Sequence, residues 1–231
     1  MNDSDNLEHA PRILLASQSP RRRRLLEWLG LPFDTATVDT PEDLDSPLAS
    51  DPSALAESLA AEKALATHDS GIANDALVLC FDTVVVHDGS VLGKPADVDD
   101  AWRMLRSLSG RRHRVVTGCA LLCPGSDTPA TFSVSTEVSM LPLHDDAIRA
   151  WMAEGTFLGC AGAYNIEAQV ASVTQDECYQ NVAGLPLCHL LRALRALPAG
   201  CRPERATSPV DSCDRALERT CRLGPQVLAE G

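Results

Sequence analysis

The chain has 231 residues, 45% of them apolar and 4% aromatic, and a net charge of −12. That length holds one large domain or two small lobes on a shared core. The acidic balance excludes a general DNA- or RNA-binding protein, which needs broad positive potential; a polyanion must be met in a local basic pocket, which favours a small phosphorylated molecule over a nucleic acid.

Residues 1–11 read as an N-terminal extension without the basic and apolar regions of a secretory leader. No apolar run is long enough to span a bilayer, so a soluble cytoplasmic protein with no membrane partner is expected. Residues 13–16 are continuously apolar and predict a strand covered on both faces. Ser17, Gln18 and Ser19 break the run, Ser19 suits an N-cap, and Pro20 suits the first helical position. Leu25, Leu26 and Leu29 then repeat at helical spacing, and Gly30 can stop the helix. Two serines and Arg21 to Arg24 thus crowd a helix start, where free N–H groups favour an anion. The stretch reads as a phosphate cradle or as a capped surface helix with a solvated basic face. Four consecutive residues fan around most of a helix, so one or two of the arginines can face a given ligand.

A strand over 33–38, a Pro- and Asp-rich loop over 39–53 and an alanine-rich helix over 54–68 follow. Lys63 lies in that helix and carries no functional weight by itself. Residues 77–87 predict a strong strand, with Asp88-Gly89 as a hairpin turn and a return over 90–92. Asp82 interrupts this apolar run, and a buried charge costs several kcal/mol unless paired. It is either a strand-end residue bonded to backbone or solvent, or a carboxylate at the ligand edge of the sheet, and the second reading is favoured. Gly89-x-x-x-Gly93-Lys94 is one residue short of a P-loop and has Pro95 where a hydroxyl should bind magnesium. Lys94 is expected instead to point back toward Asp82.

A helix over 98–108, two long strands over 112–123 and 130–141, a helix over 144–154, short strand and turn over 163–174 and a helix over 186–197 complete the pattern. Residues 198–231 read as a polar C-terminal appendage, partly disordered, with a short helix near 211–223. Alternating strands and helices followed by a long antiparallel hairpin predict an α/β fold with a mixed sheet. The nine cysteines, an odd number without a C-x-x-C pair, signal neither a disulfide framework nor a zinc ribbon and are expected to be mostly reduced core thiols. A metal site on Cys119, Cys123 and His113 ranks below that reading, since the spacing fits no common site.

Several motifs occur in one order: Ser17-x-Ser19-Pro20-Arg21-Arg22; Ala61-Glu62-Lys63-Ala64; Asp82-Thr83-Val84-Val85 with Gly93-Lys94-Pro95; Leu108-Ser109-Gly110-x-x-His113-x-Val115-x-Thr117; Gly162-Ala163-Tyr164-x-Ile166; and Asn181-Val182-x-Gly184-Leu185-Pro186-Leu187. Together they resemble the Maf family of nucleoside triphosphate pyrophosphatases over about residues 12–197. The resemblance implies an elongated mixed sheet flanked by helices, two lobes with a central cleft, and cleavage of nucleoside triphosphates to monophosphate and pyrophosphate with Mg²⁺ or Mn²⁺. It places Ser17, Arg22, Lys63, Asp82 and Lys94 at the phosphate and metal site, and the helix start adds Ser19. Asp82 is the expected metal ligand or base, with Lys63 and Lys94 beside it.

Arg21 and Thr83 resemble the family members acting on dTTP and UTP. Glu167 resembles the 7-methyl-GTP group, and an acceptor-only carboxylate there suits guanine or cytosine. Two positions against one favour dTTP and UTP. Thr40 stands where the family often has an acidic residue, for which Asp39, Glu42 or Asp43 can substitute, and Ala168 replaces a usual glycine. The resemblance also implies a homodimer. The rival readings are a non-catalytic nucleotide-binding regulator of division and a sugar phosphate-binding domain.

Overall fold

The computed structural model describes residues 11–73 and 75–230, so the expected N-terminal extension lies, but for Pro11, outside the described residues. Its strands are β1 (Arg12–Ala16), β2 (Phe33–Ala36), β3 (Ala76–His87), β4 (Ser90–Leu92), β5 (Arg112–Leu122), β6 (Ala130–Met140) and β7 (Ala171–Ser172). Its α-helices are α1 (Pro20–Leu26), α2 (Pro52–Asp69), α3 (Val98–Leu108), α4 (Asp145–Ala153), α5 (Tyr179–Val182), α6 (Leu187–Ala196), α7 (Val210–Leu217) and α8 (Leu223–Ala229). The strands make one mixed sheet in the order β2-β1-β3-β5-β6-β7, with β4 also on β3. This is the α/β class that the alternation of elements predicts. None of the described helices is long and apolar enough to cross a membrane.

The central strand β3 is buried on both faces because its two alternating sets are both apolar. Leu77, Leu79, Phe81 and Val85 join the main core with Leu25, Leu105, Leu190 and Leu191. Val78, Cys80, Val84 and Val86 lie on the opposite face, in clusters that include Leu55, Leu59, Ala60 and Ala64 of α2. One edge of β3 is paired with β5 from Val78 to Val86. Along the other edge, parallel β1 pairs as far as Leu79 and β4 takes over at Val85. Residues 80–84 are left between them, and Asp82 sits in the middle of that gap.

The cysteines depart from expectation at one pair. Cys123, just past β5, is bonded to Cys201 across 78 residues of sequence, a pairing that neither the count nor the local spacing reveals. Cys123 is therefore no metal ligand, and Cys119 is a fully buried free thiol. Among the described residues no three Cys, His, Asp or Glu side chains are grouped to hold a metal ion.

Beyond residue 197, in the polar appendage, the short helix expected near 211–223 is present as α7, and a second helix, α8, follows it. They are stitched to the domain by Thr207 N–H to the Leu29 carbonyl at 2.8 Å, Arg222 N–H to the Gln175 carbonyl at 3.1 Å, and Arg219 Nη1 to the Val173 carbonyl at 2.6 Å. The short α5 and the 3-10 turns Thr156–Gly159, Ala161–Ala163 and Ile166–Ala168 are too brief for any hydrophobic period to mark them in the sequence.

His113 is buried on β5 and its Nε2 lies 2.7 Å from the Tyr164 hydroxyl. Burial, with a smaller effect of His87, lowers its pKa to about 4, and His189 is likewise lowered to about 4, mainly by burial. A lowered histidine pKa means that the unfolded chain binds the proton first. The stability is present above about pH 6.5 and is lost as pH falls toward 4. The denaturant midpoint is therefore expected to drop across that window, and His113→Gln should remove roughly 3 kcal/mol of the drop. Urea titrations of both proteins at pH 7 and pH 4.5 check this; an equal drop in the variant would contradict it.

Candidate active site

The gap in the edge of β3 opens into a cleft of about 720 Å³. Ser17, Ser19, Arg21, Arg22, Glu42, Lys63, Asp82, Thr83 and Lys94 all line it. Glu167 does not line it; its carboxylate pairs with Arg24. Of the four arginines Arg21 and Arg22 face the cleft, as the fan of a helix requires.

The β1–α1 turn is fixed by its serines. Ser19 caps α1, its Oγ accepting from Arg22 N–H at 3.4 Å, and Ser19 N–H donates to Ser17 Oγ at 3.2 Å. This orients Arg22 back across the end of β1. Its Nε donates to the Gly184 carbonyl at 2.8 Å, its Nη2 to Thr83 Oγ1 at 2.9 Å and its Nη1 to Ser17 Oγ at 3.4 Å. The Thr83 and Thr117 hydroxyls meet at 2.9 Å, and Thr117 donates to the Asn181 carbonyl at 3.1 Å. Asn181, fully buried, in turn donates to the Val115 and Val134 carbonyls. The guanidinium is thus aimed by a relay that begins in the C-terminal motif. Burial lowers the Arg22 pKa, and nearby Asp82 opposes that effect.

On the other face of β3, Asp82 is 4% exposed and its Oδ1 accepts from Lys63 Nζ. Lys63 reaches it because α2 lies hard against the sheet. Gly118 is the β5 residue paired with Asp82, and a Cβ on Gly118 would stand 2.0 Å from the Ala56 carbonyl oxygen. Lys63 Nζ also donates to Glu42 Oε1 at 2.9 Å, and Lys94 Nζ donates to the same oxygen at 2.6 Å. Lys94 therefore does not point at Asp82 as expected; it follows the β4 return and meets Glu42, which stands between the two lysines. Glu42, one of three acidic residues considered in place of Thr40, is the one seated in the ion-pair network. Asp39 instead accepts from Gln18 Nε2 at 3.0 Å.

Within this network Glu42 and Lys63 are held in their ionised forms. Burial works to raise the Glu42 carboxyl, but Lys63 and Lys94 together bring it down to about 2. Burial likewise works to lower Lys63, and Asp82 and Glu42 outweigh it, so its pKa is raised. The two lysines use Glu42 Oε1 and Asp82 Oδ1, which leaves the second oxygen of each carboxylate for a further partner. Two carboxylates beside a phosphate site suit a hard divalent cation of the magnesium type, which keeps waters and takes its remaining ligands from phosphate.

The residues that the motifs single out separately, apart from Glu167, thus meet in one cleft. Those read less well are Glu42, in a loop, and Thr117, Asn181 and Gly184, which act on Arg22 through backbone carbonyls and hydroxyls. Only their presence in the ordered motifs marks the last three.

A mixed α/β protein that sets a half-buried arginine, two lysines and two carboxylates at a gap in its central strand has the charges to receive an anionic ligand there. Residues 12–197 match the family described as Maf-like protein, and the chain belongs to that family. A dTTP/UTP pyrophosphatase of Geobacter metallireducens is 41% identical over 191 residues, 81% of this chain and 97% of its own. One of Salinibacter ruber is 43% identical over 190 residues, 80% of this chain and 90% of its own. One of Xanthomonas euvesicatoria is 41% identical over 195 residues, 81% of this chain and 99% of its own.

Removing Lys63 alone strands a buried carboxylate. Lys63→Met is expected to cost about 3 kcal/mol at pH 7, and Lys63→Met/Asp82→Asn to recover most of it. Denaturant midpoints of the two variants and the parent give the comparison; equal losses in single and double variants would rule out the pair as the cause.

Proposed function

We infer that the protein is a nucleoside triphosphate pyrophosphatase that hydrolyses dTTP and UTP to the monophosphate and pyrophosphate, clearing surplus or modified nucleotides before incorporation. The observation that carries this reading is the juxtaposition of Arg22, Lys63 and Lys94 with the Asp82 and Glu42 carboxylates in one cleft. The names of the relatives supply the reaction and the bases.

In this reading the triphosphate lies between the α1 turn and the two lysines. Arg22, held rigidly by Gly184 and Thr83, presents fixed donors to phosphate oxygens without rearranging. Ser17 and Ser19 add hydroxyls at the turn. Asp82 and Glu42 would hold the divalent cation, Mg²⁺ or Mn²⁺, which when bound would neutralise phosphate charge and polarise the phosphoryl group. Water attacks the α-phosphorus, the α–β anhydride bond breaks, and the pyrophosphate that leaves carries its new charge toward Lys63 and Lys94. Asp82 either takes the proton of that water or ligates the cation. No covalent intermediate is needed.

Base choice rests on Arg21, Thr83 and Glu167. Thr83 has its hydroxyl engaged with Arg22 and Thr117, so it acts on the base side through Arg22. Glu167 is tied to Arg24 outside the cleft lining. With one of its oxygens engaged by Arg24, Glu167 weighs less on base choice than Arg21 and Thr83, which favours dTTP and UTP over 7-methyl-GTP or CTP. The compartment we propose is the cytoplasm, where nucleoside triphosphates are used. A homodimer belongs to the same proposal. So does the division of the chain into a catalytic part, residues 12–197, and an added C-terminal part.

Pyrophosphate release should be measured with Mg²⁺ or Mn²⁺ on dTTP, UTP, CTP, GTP, 7-methyl-GTP and the triphosphates of pseudouridine and 5-methyluridine. Fast release from dTTP and UTP is expected. Preference for 7-methyl-GTP or CTP would mean that Glu167 governs the base, and silence from a folded protein would favour the binding regulator. Asp82→Asn is expected to lower turnover by 10³-fold or more, about 4 kcal/mol, while nucleotide still binds. An unchanged Mg²⁺ half-saturation point in the residual rate assigns Asp82 the base role; a raised one assigns it the ligand role. Unchanged turnover would sink the assignment.

A further inference from the structure

The seam between the domain and its C-terminal helices holds a second chemical feature, unrelated to nucleotide binding. Four free thiols line one small pocket of about 30 Å³: Cys178 and Cys188 from the domain, Cys213 from α7 and Cys221 from the segment between α7 and α8. The family match ends at residue 197, so two of the four lie beyond it. Two of the sulfurs converge on one point. A Cβ placed on Gly224 would stand 3.1 Å from Cys188 Sγ and 3.5 Å from Cys221 Sγ. The missing side chain is what lets the start of α8 settle onto both.

We propose that Cys188 and Cys221 are an oxidisable dithiol, closed by a peroxide, that fastens the C-terminal helices to α6. Cys221 lies in the α7–α8 linker and is the more exposed of the two; Cys188 is buried on α6. The Cys221 thiolate attacks a peroxide oxygen, the O–O bond breaks, and a sulfenic acid and one water result. The Cys188 thiolate then attacks that sulfur, forming the S–S bond and releasing a second water. Two thiols and one hydrogen peroxide thus give one disulfide and two waters, the sulfurs being oxidised and the peroxide reduced.

Two observations favour this over the alternatives, and a third sets its pH dependence. The same C-terminal segment is already held by the Cys123–Cys201 bond, so a second closure adds to an existing tie. Among the described residues no three thiols, histidines or carboxylates are grouped as a metal shell, which disfavours a zinc site. Burial raises Cys188, and burial with the neighbouring thiols pushes Cys178 and Cys213 up to about 12. A protonated thiol does not attack, so closure should quicken as pH rises.

The full-length protein should be treated with hydrogen peroxide at pH 7 and pH 9, alkylated without reduction, digested and mapped by mass. A Cys188–Cys221 peptide pair is expected, about 2 Da lighter than the two thiol peptides together. It should form faster at pH 9, revert with dithiothreitol, persist in Cys213→Ser and vanish in Cys221→Ser. Alkylated Cys188 and Cys221 after treatment, sulfinic acids in place of the pair, or a bond mapped to Cys178 or Cys213 would overturn the proposal. So would one equivalent of zinc per chain that blocks closure until chelated. None of these readouts depends on nucleotide turnover, so their failure leaves the pyrophosphatase reading untouched.

Discussion

The buried ion pair between Lys63 and Asp82 is the constraint around which the rest of the cleft is arranged. A carboxylate in the middle of an apolar strand is tolerated only if a charge reaches it. Here the charge comes from a helix on the sheet face, and the helix must be close. Gly118, directly across from Asp82 on β5, removes the side chain that would hold α2 away. The position of α2, the glycine in β5 and the acid in β3 are therefore one feature written in three places of the sequence.

Arg22 solves the converse problem on the opposite face of the same strand. Its guanidinium is desolvated, which disfavours its charge, yet it keeps three acceptors, from Ser17, Thr83 and Gly184. Two of these come from segments 61 and 162 residues away in sequence. Thr83, next to Asp82 in the chain, points to the other face because side chains alternate along a strand. One dipeptide thus fixes a lysine on one side and an arginine on the other. The gap between the end of β1 and the start of β4 exposes both to the same cleft.

The strands and longer helices are legible from different signals: continuous apolar runs for β1 and β3, helical spacing for α3 and α6, and alanine-rich composition for α2. The helix over 98–108 and the β3 hairpin are read to within a residue. The site was legible to the extent that its residues break a pattern: Asp82 in an apolar run, serines and arginines at a helix start. Partners were not legible. A hairpin makes an approach of Lys94 to Asp82 reachable, but the loop carrying Glu42 comes between, and loop placement leaves no periodic trace. Asn181 and Gly184 act through backbone carbonyls, which every residue has, so their identity alone could not announce the role. Cys123 and Cys201 sit in segments that meet only in three dimensions.

In the cleft, Lys63 and Lys94 are paired with carboxylates. Glu42 is held at about 2 and Lys63 is raised, so neither pairing is released by protonation near neutral pH. A triphosphate alone would have to break these pairs and leave Asp82 buried beside new negative charge. A divalent cation on the two carboxylates changes the balance, because it replaces the lysines as the counter-charge and frees them for phosphate oxygens. On the proposed reading, cation and nucleotide therefore bind cooperatively, each lowering the cost of the other. The expectation follows from the charge arrangement in the cleft, where the lysines are engaged with the same two carboxylates whose remaining oxygens suit a cation.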